Sequence, residues 1–304
     1  MNAPPNEFVA YHDIGLPGSL PVLNKEAVLL AVKAALVLGC TVNPESSFDR
    51  KHYFYKDLPC GYQITQQYRN IVSKYSNSDP LAVNGKVAVD IIDDSARRLD
   101  ESFVVPITRV QLEQDTAKSL IELQALPHDN QSQLENNMLK NVYLDHNRSG
   151  IPLIEIITYP MLRTGHQAAT AFAKIAKLLH AAGVSTAELH LGAMRCDVNV
   201  SLGLNSPRTE IKNLNSVRAI REACTYEIGH QIRQIQNNVS LEQTTKRWDG
   251  EKTVLTRDKA GEKDYRYDAR RYQLMKILAR CRSSSNSAGL GVYSKGKIIA
   301  SSNA

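Results

Sequence analysis

Residues 194–202 read MRCDVNVSL, and their alternation decides what kind of molecule this is. Successive side chains of a strand point to opposite faces. Met194, Cys196, Val198, Val200 and Leu202 therefore share one surface, and Arg195, Asp197, Asn199 and Ser201 share the other. The first set requires a core. The second set is either the solvated side of a half-buried strand or the floor of a site, where a guanidinium, an amide and a hydroxyl flank a carboxylate.

Comparable segments recur along the chain. KVAVDIID, VPITRVQLE, IPLIEII and TEIKNLN all read as strands. In VPITRVQLE, Arg109, Gln111 and Glu113 lie opposite Thr108, Val110 and Leu112; in IPLIEII, Glu155 shares a face with Leu153 and Ile157. Three helices interrupt them. The first has Asn24 as N-cap and stops at Gly39. The second opens with Thr164 and Gln167 at capping-box spacing and closes at Gly183. The third starts at Ser216 and carries the stripe Ile220, Cys224, Ile228, Ile232 and Ile235, read as core packing. Strand runs punctuated by helices, without a βαβ rhythm, predict an α+β fold, a largely antiparallel sheet cradle with packed helices. The segment SNSDPLAVNG reads as a poorly ordered polar insertion ending in an Asn-Gly turn. The Ser/Gly-rich tail RSSSNSAGLGVYSKGKIIASSNA reads as loose.

Composition sets limits on function. The 304 residues are 42% hydrophobic and 22% charged, enough for a sizeable core. A formal net charge of +6 permits an anionic partner such as nucleic acid without demanding one. No apolar run is long enough to span a bilayer, so membrane insertion is not expected. MNAPPNEFVAYHD has neither the apolar core of a secretory signal nor the Arg-rich face of a transit peptide. Neither a Walker A motif nor G-x-G-x-x-G occurs, which leaves a P-loop or Rossmann nucleotide site unsupported. The 5 cysteines are scattered, which argues against zinc and a disulfide framework and for a reducing compartment. Cys196 and Cys224 fall at apolar positions and read as core thiols rather than nucleophiles.

Three constellations could carry chemistry. A carboxylate inside IPLIEII loses hydration if the strand is buried, so Glu155 must be ion-paired, protonated or bound to a cation. Glu113 reads as a solvated side chain or, if the strands are neighbours, as one of three converging carboxylates with Glu155 and Asp197; such oxygen ligands suit Mg²⁺. In FDRKHYFYKDLPCGYQITQQY, Arg50, Lys51 and His52 adjoin Tyr53, Phe54 and Tyr55, followed by Pro59, Gly61, Tyr62 and Gln63. Basic groups among aromatics suit phosphate contact and base stacking, and a surface loop with an aromatic anchor accounts for them equally well. In RTEIKNLNSVR, Arg208, Glu210, Lys212, Asn213 and Asn215 lead into a helix N-terminus that favours anions, although Ser216 as cap explains the position too.

Taken together, LPGSLPVLNKEAV, FDRKHYFYKDLPCGYQITQ, NRSGIPLIEI, MRCDVNVSL, RTEIKNLNSVR and DYRY resemble, in order and over most of residues 14–267, the B subunits of the aspartyl/glutamyl-tRNA amidotransferases. The resemblance implies conversion of Glu-tRNA(Gln) to Gln-tRNA(Gln). A glutaminase partner, the family's A subunit, hydrolyses glutamine and delivers ammonia, while the B subunit uses ATP with Mg²⁺ to phosphorylate the side-chain carboxylate. It further implies a small third subunit. Tyr11–Ile14 stand where bacterial members carry Cys-x-x-Cys, and Glu113-Gln114-Asp115 where Glu-Glu-Asp is common; both imply the mitochondrial branch and a matrix location. By resemblance Glu113 and Glu155 are metal ligands, and Glu155 and Asp197 are the catalytic carboxylates. Asp49, Arg50, Lys51, Tyr55, Tyr62, Gln63, Arg195, Lys212 and Asn213 then line the pocket for ATP and the tRNA acceptor end. The expected organisation is a catalytic cradle over 1–267 and a divergent tail over 268–304. By that resemblance the family's first strand, with its metal-site His and Glu, and its helical and tail domains are expected to be missing, and His190 and Leu191 to replace two family glutamates. A non-catalytic scaffold that binds the glutaminase is the alternative.

Overall fold

A computed structural model describes residues 3–66, 79–92, 98–123, 140–203, 206–256 and 266–267. The tail expected to be loose lies outside these residues.

The three predicted helices form where their caps place them. In α1 (Lys25–Val37) the Asn24 side chain accepts from the N–H groups of Glu26 and Ala27 at 2.8 and 3.2 Å. Gly39 ends the helix with φ +67°. In α2 (Gly165–Ala181) Thr164 accepts from Gln167 N at 3.1 Å, and the Gln167 side chain reaches back to Arg163 N at 2.8 Å. In α3 (Val217–Gln236) Ser216 accepts from Ala219 N at 3.1 Å. The expected apolar stripe of α3 holds only at its start, since Ile232 and Ile235 are 41% and 50% exposed. Steps of four residues drift by about 40° each around a helix of 3.6 residues per turn. The line that stays on the core runs Ile220, Cys224, Glu227, Gln231, all buried.

Thirteen strands are described, labelled in chain order. The largest sheet joins β1 (Thr41–Val42), β4 (Ala82–Ile92), β5 (Arg98–Gln114), β3 (Tyr62–Thr65), β2 (Asp49–His52) and β13 (Arg266–Tyr267), with β8 (Pro152–Thr158) also on β5. All its pairs are antiparallel. A second sheet runs β12 (Thr253–Leu255), β11 (Thr244–Trp248), β10 (Thr209–Leu214), β9 (Cys196–Val200), with β10 and β11 parallel and the rest antiparallel. A hairpin of β6 (Lys118–Leu123) and β7 (Lys140–Asp145) completes the set. The α+β expectation with largely antiparallel pairing is met.

The Asn-Gly turn is not. Asn84 and Gly85 lie inside β4, and Leu81 and Ala82 beside them are buried. A Cβ on Gly85 would collide with Cys40 Sγ and the Leu38 carbonyl, so the glycine admits the end of α1 against the sheet.

One face of the large sheet packs on α1 and α2. Ala34, Ala35 and Leu38 of α1, Val87 and Val89 of β4, Val105, Ile107 and Val110 of β5, and Ala171, Ile175 and Leu179 of α2 form one core. The register shifts between Ile107 and Arg109. Odd positions before the shift and even positions after it therefore both face the helices, which leaves Arg109, Gln111 and Glu113 on the other face. A second core joins Ala169 and Phe172 of α2, Ile220, Ala223 and Cys224 of α3, and Val200, Ile211 and Leu214 of the small sheet. Helix α2 thus serves both cores. Among the described residues no helix is long and apolar enough to cross a membrane.

Candidate functional site

The polar face of the large sheet gathers side chains from four strands. Register places Glu113 between Thr65 of β3 and Leu153 of β8, and Gln111 directly opposite Glu155 of β8. Across the β2–β3 hairpin, Asp49 pairs with Thr65 and Lys51 with Gln63, so these four share the face. The basic and aromatic segment, for which a surface loop was one of two readings, supplies two strands.

Glu113 is held from the β3 side. Gln63 Nε2 donates to Glu113 Oε1 at 2.9 Å and to the Gln114 carbonyl at 2.7 Å. Thr65 Oγ1 donates to Glu113 Oε2 at 3.3 Å, and Tyr53 OH donates to Gln63 Oε1 at 2.9 Å. Burial and then the neighbouring Glu155 charge push the Glu113 carboxyl above its usual range, only partly offset by Lys51, Thr65 and Gln63. The two glutamates are neighbours that feel each other.

Glu155 itself is exposed, contrary to the buried setting its apolar strand suggested. Ile154 and Ile156 turn toward the helices and carry the hydrophobicity of that strand. Among the described residues its side-chain partner is the Gln111 amide, whose Nε2 donates to Glu155 Oε2, and not an ion-pairing Arg or Lys. Gln111 Oε1 in turn accepts from Arg109 Nε at 2.9 Å.

The signature hairpin divides its residues between faces. Arg50 pairs with Ile64 and His52 with Tyr62. The Arg50 guanidinium lies 4.1 Å from the Tyr62 ring centroid, and the His52 and Tyr62 rings are 5.8 Å apart. Arg50 and Tyr62 are thus on the side away from Glu113. Tyr55 meets Tyr53 edge-on at 5.2 Å at the strand end.

The strand quoted at the outset alternates as read. From Cys196 to Val200 the even residues are partly or fully buried, whereas Asp197 and Asn199 are exposed. Burial pushes the Cys196 and Cys224 thiols up to about 12 and about 11, as expected of core thiols. Leu202 lies past the strand end and is 38% exposed. Asp197 serves the backbone beside it, where its Oδ1 accepts from Asn213 N at 2.8 Å. Asn213 has φ +60° at the register shift between Ile211 and Leu214, so the carboxylate pins a bulge in β10. Lys212 pairs with Glu210 at 3.4 Å. Arg195 reaches Asp115 Oδ2 at 3.8 Å; Asp115 is also gripped by Arg148 at 2.9–3.0 Å. The small sheet is thereby tied to the large one two residues beyond Glu113.

Among the described residues no group of three or more His, Cys, Asp or Glu side chains is placed to hold a metal ion, so Asp197 does not join Glu113 and Glu155 in one cluster. The pair still fits a hard cation. Both are oxygen donors, and the charge of Glu113 is only partly offset by Lys51. Mg²⁺ commonly takes one or two carboxylates and keeps its waters. Sequence reasoning missed Thr65, Asp115 and Arg148. It noted Gln111 only as a face-mate of Glu113, where an amide beside two carboxylates was the available signal.

The family described as the GatB/GatE catalytic domain matches residues 1–277, past the point where the resemblance was expected to stop. The chain is 40% identical over 287 residues to the B subunit of the mitochondrial glutamyl-tRNA(Gln) amidotransferase of Yarrowia lipolytica, covering 88% of this chain and 48% of that protein. It is 39% identical over 276 residues to the human mitochondrial counterpart, covering 88% and 45%. It is also 39% identical over 274 residues to the B subunit of the aspartyl/glutamyl-tRNA(Asn/Gln) amidotransferase of a Synechococcus, covering 88% and 51%. The chain spans about half the length of the curated relatives it matches.

Proposed function

The chain belongs to the GatB/GatE catalytic-domain family, and on that premise we propose that it is the synthetase-like part of a glutamine-dependent tRNA amidotransferase. Its substrate is Glu-tRNA(Gln), its phosphoryl donor ATP, and its partners a glutaminase subunit plus a small third subunit. Its place is the mitochondrial matrix, in line with the names of the fungal and human relatives.

The chemistry follows from the inertness of a carboxylate toward nucleophiles. Transfer of the ATP γ-phosphoryl to the glutamyl side chain gives an acyl phosphate and ADP. Ammonia from the glutaminase then attacks the carbonyl carbon, the carbon–oxygen bond to phosphate breaks, and the amide and inorganic phosphate remain. Glu113 and Glu155 would hold Mg²⁺, which when bound neutralises the phosphate charge during transfer. Lys51, on the same face as Gln63 and Glu113, is positioned to meet a phosphate oxygen. Arg50, Tyr62 and Tyr55 support that strand from behind and at its end. Asp49, Arg195, Lys212, Asn213 and the exposed Asp197 complete the proposed pocket for ATP and the acceptor end.

The observation that carries this reading is the placement of Glu113 and Glu155 diagonally across the β5–β8 ladder on one polar face, a like-charge arrangement that a folding function alone does not call for. The alternative is a scaffold that binds the glutaminase without activating tRNA. The two are separated by ATP- and glutamine-dependent formation of Gln-tRNA(Gln) by this chain co-expressed with its glutaminase, beside Glu155→Gln and Asp197→Asn. Activity that collapses in Glu155→Gln supports the enzyme. A stable complex without activity supports the scaffold.

A further inference from the structure

We propose that Gln111 is the positioning residue for Glu155, fixing which carboxylate oxygen is turned toward the cation; this rests on the reading of Glu113 and Glu155 as a metal pair. Gln111 is 4% exposed and faces Glu155 across the β5–β8 ladder. An amide can usually be turned end for end. Here it cannot. Arg109 Nε is purely a donor and lies 2.9 Å from Gln111 Oε1, so the oxygen must face the guanidinium and the NH₂ must face Glu155 Oε2. Turning the amide would set N–H against N–H at one end and oxygen against carboxylate at the other.

The consequence concerns an exposed glutamate that would otherwise sample several rotamers. With Oε2 occupied by the amide, Oε1 is the oxygen presented to a ligand. A lysine or arginine in the place of Gln111 would orient Glu155 as well, but would cancel the negative charge that a dication needs. The amide orients without neutralising, and the Arg109 cation stays one side chain removed. Glu113 is held the same way: Gln63 donates to it while accepting from Tyr53 OH. Each carboxylate is thus steered by a glutamine of fixed orientation: a phenol could donate or accept, but the Gln114 carbonyl beside Gln63 Nε2 can only accept.

The test is a Mn²⁺ titration of the full chain in complex with its glutaminase, with free Mn²⁺ read by electron paramagnetic resonance, alongside the amidation assay. Gln111→Met is expected to weaken Mn²⁺ binding about 10- to 100-fold, the usual effect of losing an outer-shell orienter. Added to Glu155→Gln it should cost nothing further. Gln111→His should recover most of the affinity, because a neutral imidazole offers one acceptor and one donor. Unchanged Mn²⁺ affinity in Gln111→Met, no Mn²⁺ binding by the parent, or an equal loss in both backgrounds would overturn the proposal. Mn²⁺ binding that depends on Gln111 in a complex that makes no Gln-tRNA would sustain it and remove the amidotransferase reading.

Discussion

Two glutamate neighbourhoods in this protein have opposite electrostatic designs. Glu227 of α3 is fully buried, and everything around it serves its charge. Lys246 Nζ lies 3.0 and 3.1 Å from its two oxygens, Thr253 Oγ1 donates at 2.6 Å and Gln231 Nε2 at 3.0 Å. Burial alone would raise its pKa, but these hydrogen bonds and the Lys246 charge outweigh it and hold the carboxyl below its ordinary value. Glu113 on the large sheet is half-buried, and there burial and the Glu155 charge raise its pKa more than Lys51, Thr65 and Gln63 lower it. A compensated glutamate is part of the fold. A like-charge pair that is only partly offset fits the proposed cation site.

Breaking the compensated site should have the largest effect. Lys246→Met leaves a fully buried carboxylate unpaired and should lower unfolding free energy by about 3–5 kcal/mol in urea titration. Replacing both partners by methionine should recover most of that loss; a double variant as unstable as the single would mean that packing and not charge is at stake. Breaking the like-charge site should show the reverse: Glu155→Gln is expected to lower amidation by about 10²- to 10³-fold while leaving the melting temperature level or higher, since it removes like-charge repulsion. A comparable fall in stability would erase the distinction. Next comes the seam between the helices. A Cβ on Gly165 would run into the Arg221 carbonyl, so Gly165→Ala should cost about 1–3 kcal/mol by pushing α2 from α3. A pH series then sharpens the comparison. Because the folded pKa of Glu227 is depressed, its contribution is intact above the ordinary value of 4.5 and is lost as pH falls through the depressed value. Urea midpoints should therefore drop in that acid window for the parent and less for the double methionine variant. The smallest effect belongs to Asp197→Asn. Its amide oxygen can still accept from Asn213, so stability should change by about 0.5 kcal/mol or less; a large activity loss on that background would assign the charge to the site and not to the bulge.

The helices were legible because their signals are local: Asn24, Thr164 and Ser216 each cap the helix they announce, and Gly39 and Gly183 end two of them. Strands with clean alternation, such as β9, were legible for the same reason. The hairpin of β2 and β3 was hidden because DRKH carries no apolar alternate, and its partner strand lies across a turn rich in aromatics. Asn84-Gly85 misled because a left-handed residue and a glycine serve close packing inside a strand as readily as they serve a turn. Glu155 misled in another way: its neighbours Ile154 and Ile156 pack against the core, partly buried, but on the opposite face. Gln111 and Asp115 depend on which strands become neighbours, and pairing is a tertiary fact that spacing along the chain does not encode. Glu227 could have been found, since a charged residue seven positions from Ile220 falls on the helix line that faces the core.

The placement of α2 has a consequence for how the molecule can come apart and how it can change. Ala171, Ile175 and Leu179 close one core, and Ala169 and Phe172 the other. Neither half can melt while the helix stays buried, so the amides of α2 should exchange with solvent only through openings as costly as global unfolding. The helix is a party wall. A substitution there must satisfy the tenants on both sides, and the strip left for neutral drift is the narrow exposed edge that includes His166 and Lys177.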